Sequence, residues 1–241
     1  MTTQATTIPV VENKPKRRRL LPFSYEKRAE LAPELRIPAT YEEYIEYVHD
    51  CDYRVQYHDG HIVSFIETDE KTKTIMGEAA PIHERLMMRL ARILGNIFDY
   101  PIQGNRYALF GSNIKIYIPT RNQSYNPDIA IALEPTVYIK HRPKKRLITS
   151  VVNPHIIVEI LSKGTRGFDK QEKLPDYKAI ESVQQIIYIE STETFATTYI
   201  RISENEWRNI DFKNMNDELP IVGENPIFLK DIYDGLPEFQ K

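Results

Sequence analysis

Between residues 53 and 67 the chain reads YRVQYHDGHIVSFIE, apolar and polar residues alternating on both sides of Asp59-Gly60. A period of two describes a strand with one buried face, and Asp-Gly supplies the positive φ angles of a two-residue turn, so a β-hairpin is expected here. Just before it, PATYEEYIEYV has Thr40, then Glu43, then a Tyr/Ile face at helical spacing, which predicts a short capped helix. From Pro81 to about Phe98 the period lengthens. Ile82, Leu86, Leu90, Ile93, Leu94 and Ile97 recur at spacings of three and four, the pattern of an amphipathic helix whose first turn suits Pro81.

Strand-like runs follow at RYALF, NIKIYI and DIAIAL, broken by Gly-Ser, Pro and Asn-rich segments. After them come the strand HIIVEIL, a polar loop, a helix expected around 170 to 182, and the strand QQIIYIE. FATTYIRI and WRNIDF extend the sheet, NPIFLKDIYDGL ends the chain as a strand or turn with a short helix, and no internal repeat is visible. This order predicts an α/β (α+β) fold with a mixed central β-sheet flanked by helices and an N-terminal β-hairpin. Residues 1–37 are rich in Thr, Pro and Arg without sustained apolar periodicity and are read as a flexible or loosely docked extension, leaving 38–241 as one domain.

Composition narrows the partners. A length of 241 residues is enough for a sizeable core, and 41% apolar with 27% charged residues is ordinary for a globular protein. A net charge of -2 gives no whole-molecule basic field, so any DNA site must be local. Two basic runs, KPKRRR (Lys14 to Arg19) and KHRPKKR (Lys140 to Arg146), either follow a phosphate backbone or are solvated segments. The single cysteine, Cys51, forms no internal disulfide and lacks zinc-type spacing, which points to a packing role in a reducing compartment. No apolar run approaches the roughly 18 residues of a membrane span, so no membrane partner is expected and the cytoplasm is the expected location.

Two carboxylates stand out. Asp128 opens DIAIAL after Pro127, and Glu159 interrupts the apolar strand HIIVEIL, where a lone charge costs several kcal/mol unless compensated. Strand alternation puts Ile157, Glu159 and Leu161 on one face and Ile156, Val158 and Ile160 on the other. If the two strands pair, the acids converge, and a divalent cation such as Mg²⁺ relieves their repulsion while activating water and phosphate. The plainer reading makes Asp128 a strand-starting residue and Glu159 half of a structural ion pair. Asp169, Lys173 and Tyr177 are spaced four apart, so a continuous helix aligns them on one face and aims Lys173 at the strand end. A lysine placed there serves phosphodiester hydrolysis by stabilising an attacking hydroxide or a developing phosphorane, unless it is an ordinary exposed salt bridge.

At this point NPDIAIAL followed by NPHIIVEILSKGTRGFDKQEKLPDYKAIESVQQIIYIE resembles the Uma-type family of "putative restriction endonucleases", within the PD-(D/E)XK nuclease superfamily. The likeness is strongest over residues 126–190 and extends more loosely from the Tyr41 helix to FLKDIYDGL. It implies a restriction-endonuclease-like core with metal-binding acids on neighbouring strands and a lysine two positions after the second acid. Here that position holds Leu161, so the resemblance implies that the lysine has moved to the following helix, as Lys173, with Asp128 and Glu159 as the metal acids. Ser162, Thr165, Asp169 and Tyr177 match further motif positions as residues that support the acids or order the loop. His83 matches a histidine near the start of the first core helix, and Glu84 beside it is a further candidate metal ligand; singly, each is as readily a surface helix residue. Pro175 falls inside the expected helix, where it removes a backbone bond and can restart the helix. The family's usual glycine before the last core strand is replaced by ESVQQ.

The implied activity is a Mg²⁺- or Mn²⁺-dependent endonuclease hydrolysing DNA phosphodiester bonds, with a homodimer suiting double-strand cleavage. The alternative is an inactive nuclease-fold protein that binds nucleic acid or a protein partner. A small-molecule enzyme finds no support in a phosphate loop, nucleophile elbow or dinucleotide fingerprint.

Overall fold

A computed structural model describes residues 22, 24–68, 75–76, 80–98, 106–141 and 147–239. KPKRRR and residues 142–146 of the second basic run lie outside the described residues. Helix α1 (Tyr25–Ala29) and strand β1 (Glu34–Pro38) precede α2 (Tyr41–Tyr47) and the hairpin β2 (Gln56–His58) and β3 (His61–Phe65). A short pair, β4 (Glu67–Thr68) and β5 (Ile75–Met76), leads to the long helix α3 (Pro81–Phe98). Then come β6 (Tyr107–Gly111), β7 (Lys115–Ile118), β8 (Gln123–Tyr125), β9 (Ile129–Leu133), β10 (Tyr138–His141), β11 (Ile148–Val151) and β12 (Pro154–Leu161). A π-helical turn, Phe168–Lys173, runs into α4 (Leu174–Lys178), and β13 (Gln185–Glu190), β14 (Ala196–Arg201), β15 (Trp207–Phe212), β16 (Glu218–Ile221), β17 (Glu224–Phe228) and α5 (Leu229–Tyr233) complete the order.

The local signals act as their chemistry requires. The Thr40 side chain accepts from the Glu43 N–H while Glu43 accepts from the Thr40 N–H, which closes a capping box on α2. Asp59 and Gly60 both take positive φ, 46° and 70°, and so close the hairpin tightly enough to pair His58 with His61.

The fold is mixed α+β, but the strands divide between two large sheets rather than filling one central sheet. One sheet has the order β1-β3-β2-β8-β7-β11-β10 and the other β15-β14-β13-β12-β9-β6. Only β7 with β11 and β12 with β13 run parallel within them. The chain moves back and forth: β6 lies in the six-stranded sheet, β7 and β8 in the seven-stranded one, β9 returns, β10 and β11 leave again, and β12 to β15 remain in the six-stranded sheet. NIKIYI is therefore in the opposite layer from RYALF and DIAIAL.

β12 explains the stacking. Ile156, Val158 and Ile160 join Leu86, Leu90 and Leu94 of α3 in one core, while Ile157 and Leu161 meet Val63, Ile116, Ile118 and Tyr125 of the other sheet. A strand apolar on both faces is stable only between two layers. The far face of the seven-stranded sheet is covered by α2, whose Tyr41, Tyr44 and Ile45 pack on Tyr57 and Ile62.

Two expectations need correction. The stretch before residue 38 is part of the fold from Ser24 onward: β1 pairs with β3, and the Arg28 guanidinium, fully buried, donates to Ser64 Oγ, to the Ser64 carbonyl and to the carbonyls of Ala32 and Pro33. The helix expected over 170–182 begins as the π-turn at Phe168 and ends at Lys178. Pro175 has no N–H for a carbonyl one turn back. It sits in the first turn of α4, where that donor is not needed.

Leu90 is 1% exposed between α3 and the sheet, whereas Met88 on the outer face is 64% exposed. Leu90→Ala is expected to lower unfolding free energy by about 2–5 kcal/mol and Met88→Ala by under about 0.5 kcal/mol, measured by urea denaturation. Equal costs would refute this assignment of the helix faces.

Candidate active site

The two large sheets part along one end, and a cavity of about 970 Å³ opens there. Segment 126–128 crosses this gap, carrying the chain from β8 in one sheet to β9 in the other. Continuing the pairing of Val158 with Ile129 by one residue sets Asp128 opposite Glu159. Directly opposed residues of an antiparallel pair share a face. Here it is the face turned toward the seven-stranded sheet, as Ala130 and Ile157 show.

Asp128 is buried, and one of its oxygens, Oδ2, accepts the Ile160 N–H at 2.8 Å and lies 3.2 Å from His83 Nε2, which must donate because a carboxylate only accepts. His83 reaches it from the first turn of α3. Burial pushes the Asp128 carboxyl up, but His83, the Ile160 N–H and the charge of Lys173 together outweigh it, so the group titrates below its ordinary value.

Glu159 is equally buried. Lys173 Nζ donates to its Oε1 at 3.0 Å and Tyr177 OH donates to the same oxygen at 2.6 Å. Lys173 Nζ also lies 2.8 Å from Asp169 Oδ1. Burial alone would lower the Lys173 ammonium, but the two carboxylates hold it well above its ordinary value as a cation. One ammonium offsets only one carboxylate. Glu159 accordingly feels burial first, opposed by Lys173 but reinforced by Asp169 and Asp128, and is pushed up to about 7. Asp128, Glu159 and Asp169 thus line a single cavity in which Lys173 is the buried cation, ion-paired to Glu159 and Asp169.

Of the remaining sequence candidates, Ser162 and Thr165 line the same cavity; the Thr165 N–H meets Ser162 Oγ at 3.3 Å and the two hydroxyls lie 3.1 Å apart, folding the loop after β12 on itself. Glu84 is exposed at the rim, 3.9 Å from His83 Nδ1. Tyr177 lies behind Glu159, fully buried. Among the described residues no three His, Cys, Asp or Glu side chains are grouped as a ready-made metal cage. The donor set nonetheless fits a hard divalent ion. Asp128 Oδ1 and Glu159 Oε2 carry no hydrogen bond among the described residues, and Mg²⁺ is ordinarily held by one or two carboxylates with water and substrate phosphate as the other ligands.

Sequence reasoning missed the polar clamp that fixes the π-turn. Asp176 Oδ2 accepts from Tyr125 OH, its Oδ1 from Arg121 at 2.9 Å, and His58 Nδ1 lies 2.5 Å from Tyr125 OH. His58 Nε2 is 2.9 Å from Glu172, which Arg36 grips through both oxygens at 2.5 and 2.6 Å. Phe168 inserts beside Phe65 and His58. The faint signals were His58 next to the Asp-Gly turn, Glu172 in DKQEK and Asp176 in LPDYK. Lys115 and Asn126 also line the cavity and were overlooked, although Asn126 opens the NPDIAIAL stretch.

The two large sheets thus bring the opposed acids and the buried lysine to one cavity. The chain belongs to the Uma2 family, described as "Putative restriction endonuclease", whose pattern it matches over residues 41–224. Two uncharacterized proteins of Synechocystis sp., sll1609 and slr1290, are similar to it: 26% identical over 64% of this chain and 85% of the relative, and 24% identical over 81% and 91%. A crystal structure of a "putative nuclease belonging to DUF820" from Anabaena variabilis shares the fold with TM-score 0.55 at 13% identity, over 81% of this chain and 97% of that one. Among the described residues no helix is long and apolar enough to cross a membrane.

Tyr177→Phe deletes one donor to a buried carboxylate and is expected to cost about 1–3 kcal/mol, read from the urea midpoint at constant m value; an unchanged midpoint would show that the Tyr177 hydroxyl is dispensable. The Asp176 carboxyl is pushed up by burial but held below its ordinary 3.8 by His58, Tyr125 and Arg121. A depressed folded value means the contribution is full above 3.8 and is lost as pH falls below it. The stability gap between wild type and Asp176→Asn should therefore narrow on acidification, and a gap constant with pH would remove Asp176 from the clamp.

Proposed function

We propose that the chain is a divalent-cation-dependent endonuclease that hydrolyses phosphodiester bonds in DNA. One observation carries the reading: Asp128, Glu159 and Asp169 share one cavity with a single buried ammonium, a surplus of negative charge that a divalent ion would neutralise. Asp128 and Glu159 would hold the ion, and when bound it would polarise the phosphate and promote ionisation of water.

The chain's own residues do the positioning. His83 and the Ile160 N–H tie up Asp128 Oδ2 and leave the other oxygen without a hydrogen bond among the described residues. Tyr177 does the same for Glu159 from behind the strand. Asp169 keeps Lys173 charged and extended along the cavity wall, where its ammonium stabilises negative charge growing on the attacking oxygen and on the phosphorane. The contrary reading, a nuclease fold that binds without cutting, draws on the same lysine, since two carboxylates already engage it.

Relaxation of supercoiled plasmid separates the two. Wild type with Mg²⁺ or Mn²⁺ is expected to nick DNA and to stop when the metal is chelated. Asp128→Ala, Glu159→Ala and Lys173→Met should each lose roughly 10²-fold or more in rate, with folding checked by circular dichroism. Inert wild type with either metal, or folded variants that cut as fast as wild type, would leave the binding-only reading.

A further inference from the structure

The cavity has a second wall, built by the seven-stranded sheet, and its chemistry is opposite to that of the acids. Lys115, in β7, lines this wall half-buried. Its Nζ donates to Tyr44 OH at 2.9 Å and to Asn126 Oδ1 at 3.0 Å, and it lies 5.3 Å from the centre of the Tyr44 ring. Neither partner carries a charge. Among the described residues Lys115 makes no ion pair, whereas Lys173, which lines the same cavity, has two.

The arrangement is enforced rather than incidental. The Asn126 amide spends its Nδ2 hydrogens on the carbonyls of Ile114 at 2.9 Å and Ser112 at 3.4 Å, so its oxygen must face the lysine. Tyr44 OH donates to Ser124 Oγ at 3.4 Å, so its lone pairs are also left for Lys115. An ammonium has three hydrogens, and two are used. The third remains on a cation lining the cavity, held by a segment two residues before Asp128. Arg54, exposed and without an ion pair among the described residues, lines the same cavity.

We propose that Lys115 is a substrate-binding residue that takes a non-bridging oxygen of a nucleic-acid backbone phosphate neighbouring the one at the acids, with Tyr44 and Asn126 as its positioning residues. This rests on the nuclease reading above and adds which wall of the cavity holds the strand. An anion is what the site lacks: an ammonium on neutral acceptors gains a charge-assisted bond when a phosphate arrives, and each such contact releases counterions from the nucleic acid.

The test measures binding and cutting separately. Binding of a duplex DNA oligonucleotide is titrated at several salt concentrations without divalent metal, for wild type, Lys115→Gln and Lys115→Arg. Loss of one phosphate contact should weaken Lys115→Gln and reduce the slope of log K against log salt by about one, with Lys115→Arg restoring most of it. A purely structural lysine would change stability and leave that slope alone. Because Lys115→Gln also loosens Asn126 and could unfold the site, wild type is acetylated in parallel and read by mass spectrometry. Bound oligonucleotide should protect Lys115 more strongly than inorganic phosphate at matched ionic strength. An unchanged slope in a folded Lys115→Gln variant, no protection, or equal protection by inorganic phosphate overturns this inference while plasmid nicking by wild type leaves the nuclease reading intact. A wild type that neither binds nor nicks DNA overturns both.

Discussion

The Lys173 ammonium lies 2.8 Å from Asp169 and 3.0 Å from Glu159, in a place with almost no access to water. Each of these charges would be costly there alone, and removing any one strands the others. Much of the surrounding structure follows from keeping them together. The π-turn puts Asp169 and Lys173 side by side, α4 starts in time to send Tyr177 under Glu159, and the clamp of His58, Glu172, Arg36 and Asp176 holds that helical segment to the hairpin sheet. Position 161 itself belongs to the core: Leu161 is fully buried in the apolar cluster with Phe168 and Tyr177.

The second organising feature is the way the chain shuttles between the sheets. Two of the crossings contribute to the lining of the cavity. Asn126 and Asp128 come from the crossing between β8 and β9, and Ser112 from the one between β6 and β7. One wall inherits acids from the six-stranded sheet, the other a lysine from the seven-stranded sheet. A cleft with anionic and cationic sides is thus a product of topology, not of one motif.

The local elements were legible where one residue type decides the geometry. Asp59-Gly60, the Thr40 and Glu43 box, the α3 stripe and the two faces of β12 all stand as their periods require. The mixed α+β class and the family were readable from the ordered stretch 126–190. The division into two sheets was not, because NIKIYI and DIAIAL both read as strands, and nothing in a strand's own residues says which layer it joins. Nor could spacing foretell the widening of the helix before Pro175, since the spacing of Asp169, Lys173 and Tyr177 is that of an ordinary helix. The clamp around Asp176 was invisible for a related reason: His58, Tyr125 and Asp176 meet only after distant segments pack.

The interleaving also bears on how the chain reaches this state. Because β6 and β9 are neighbours while the intervening β7 and β8 belong to the other layer, the central pairings close large loops before any reward is collected. Such a topology folds slowly compared with helical proteins of similar size and holds strand edges open in the meantime. The hairpins of β2 with β3 and of β16 with β17 pair strands adjacent in sequence across turns whose residues, Asp59, Gly60 and Gly223, take positive φ. Such hairpins need no long loop to close, whereas the part of the cleft lined by the β6–β7 and β8–β9 crossings takes its shape only once strands of both sheets are in place.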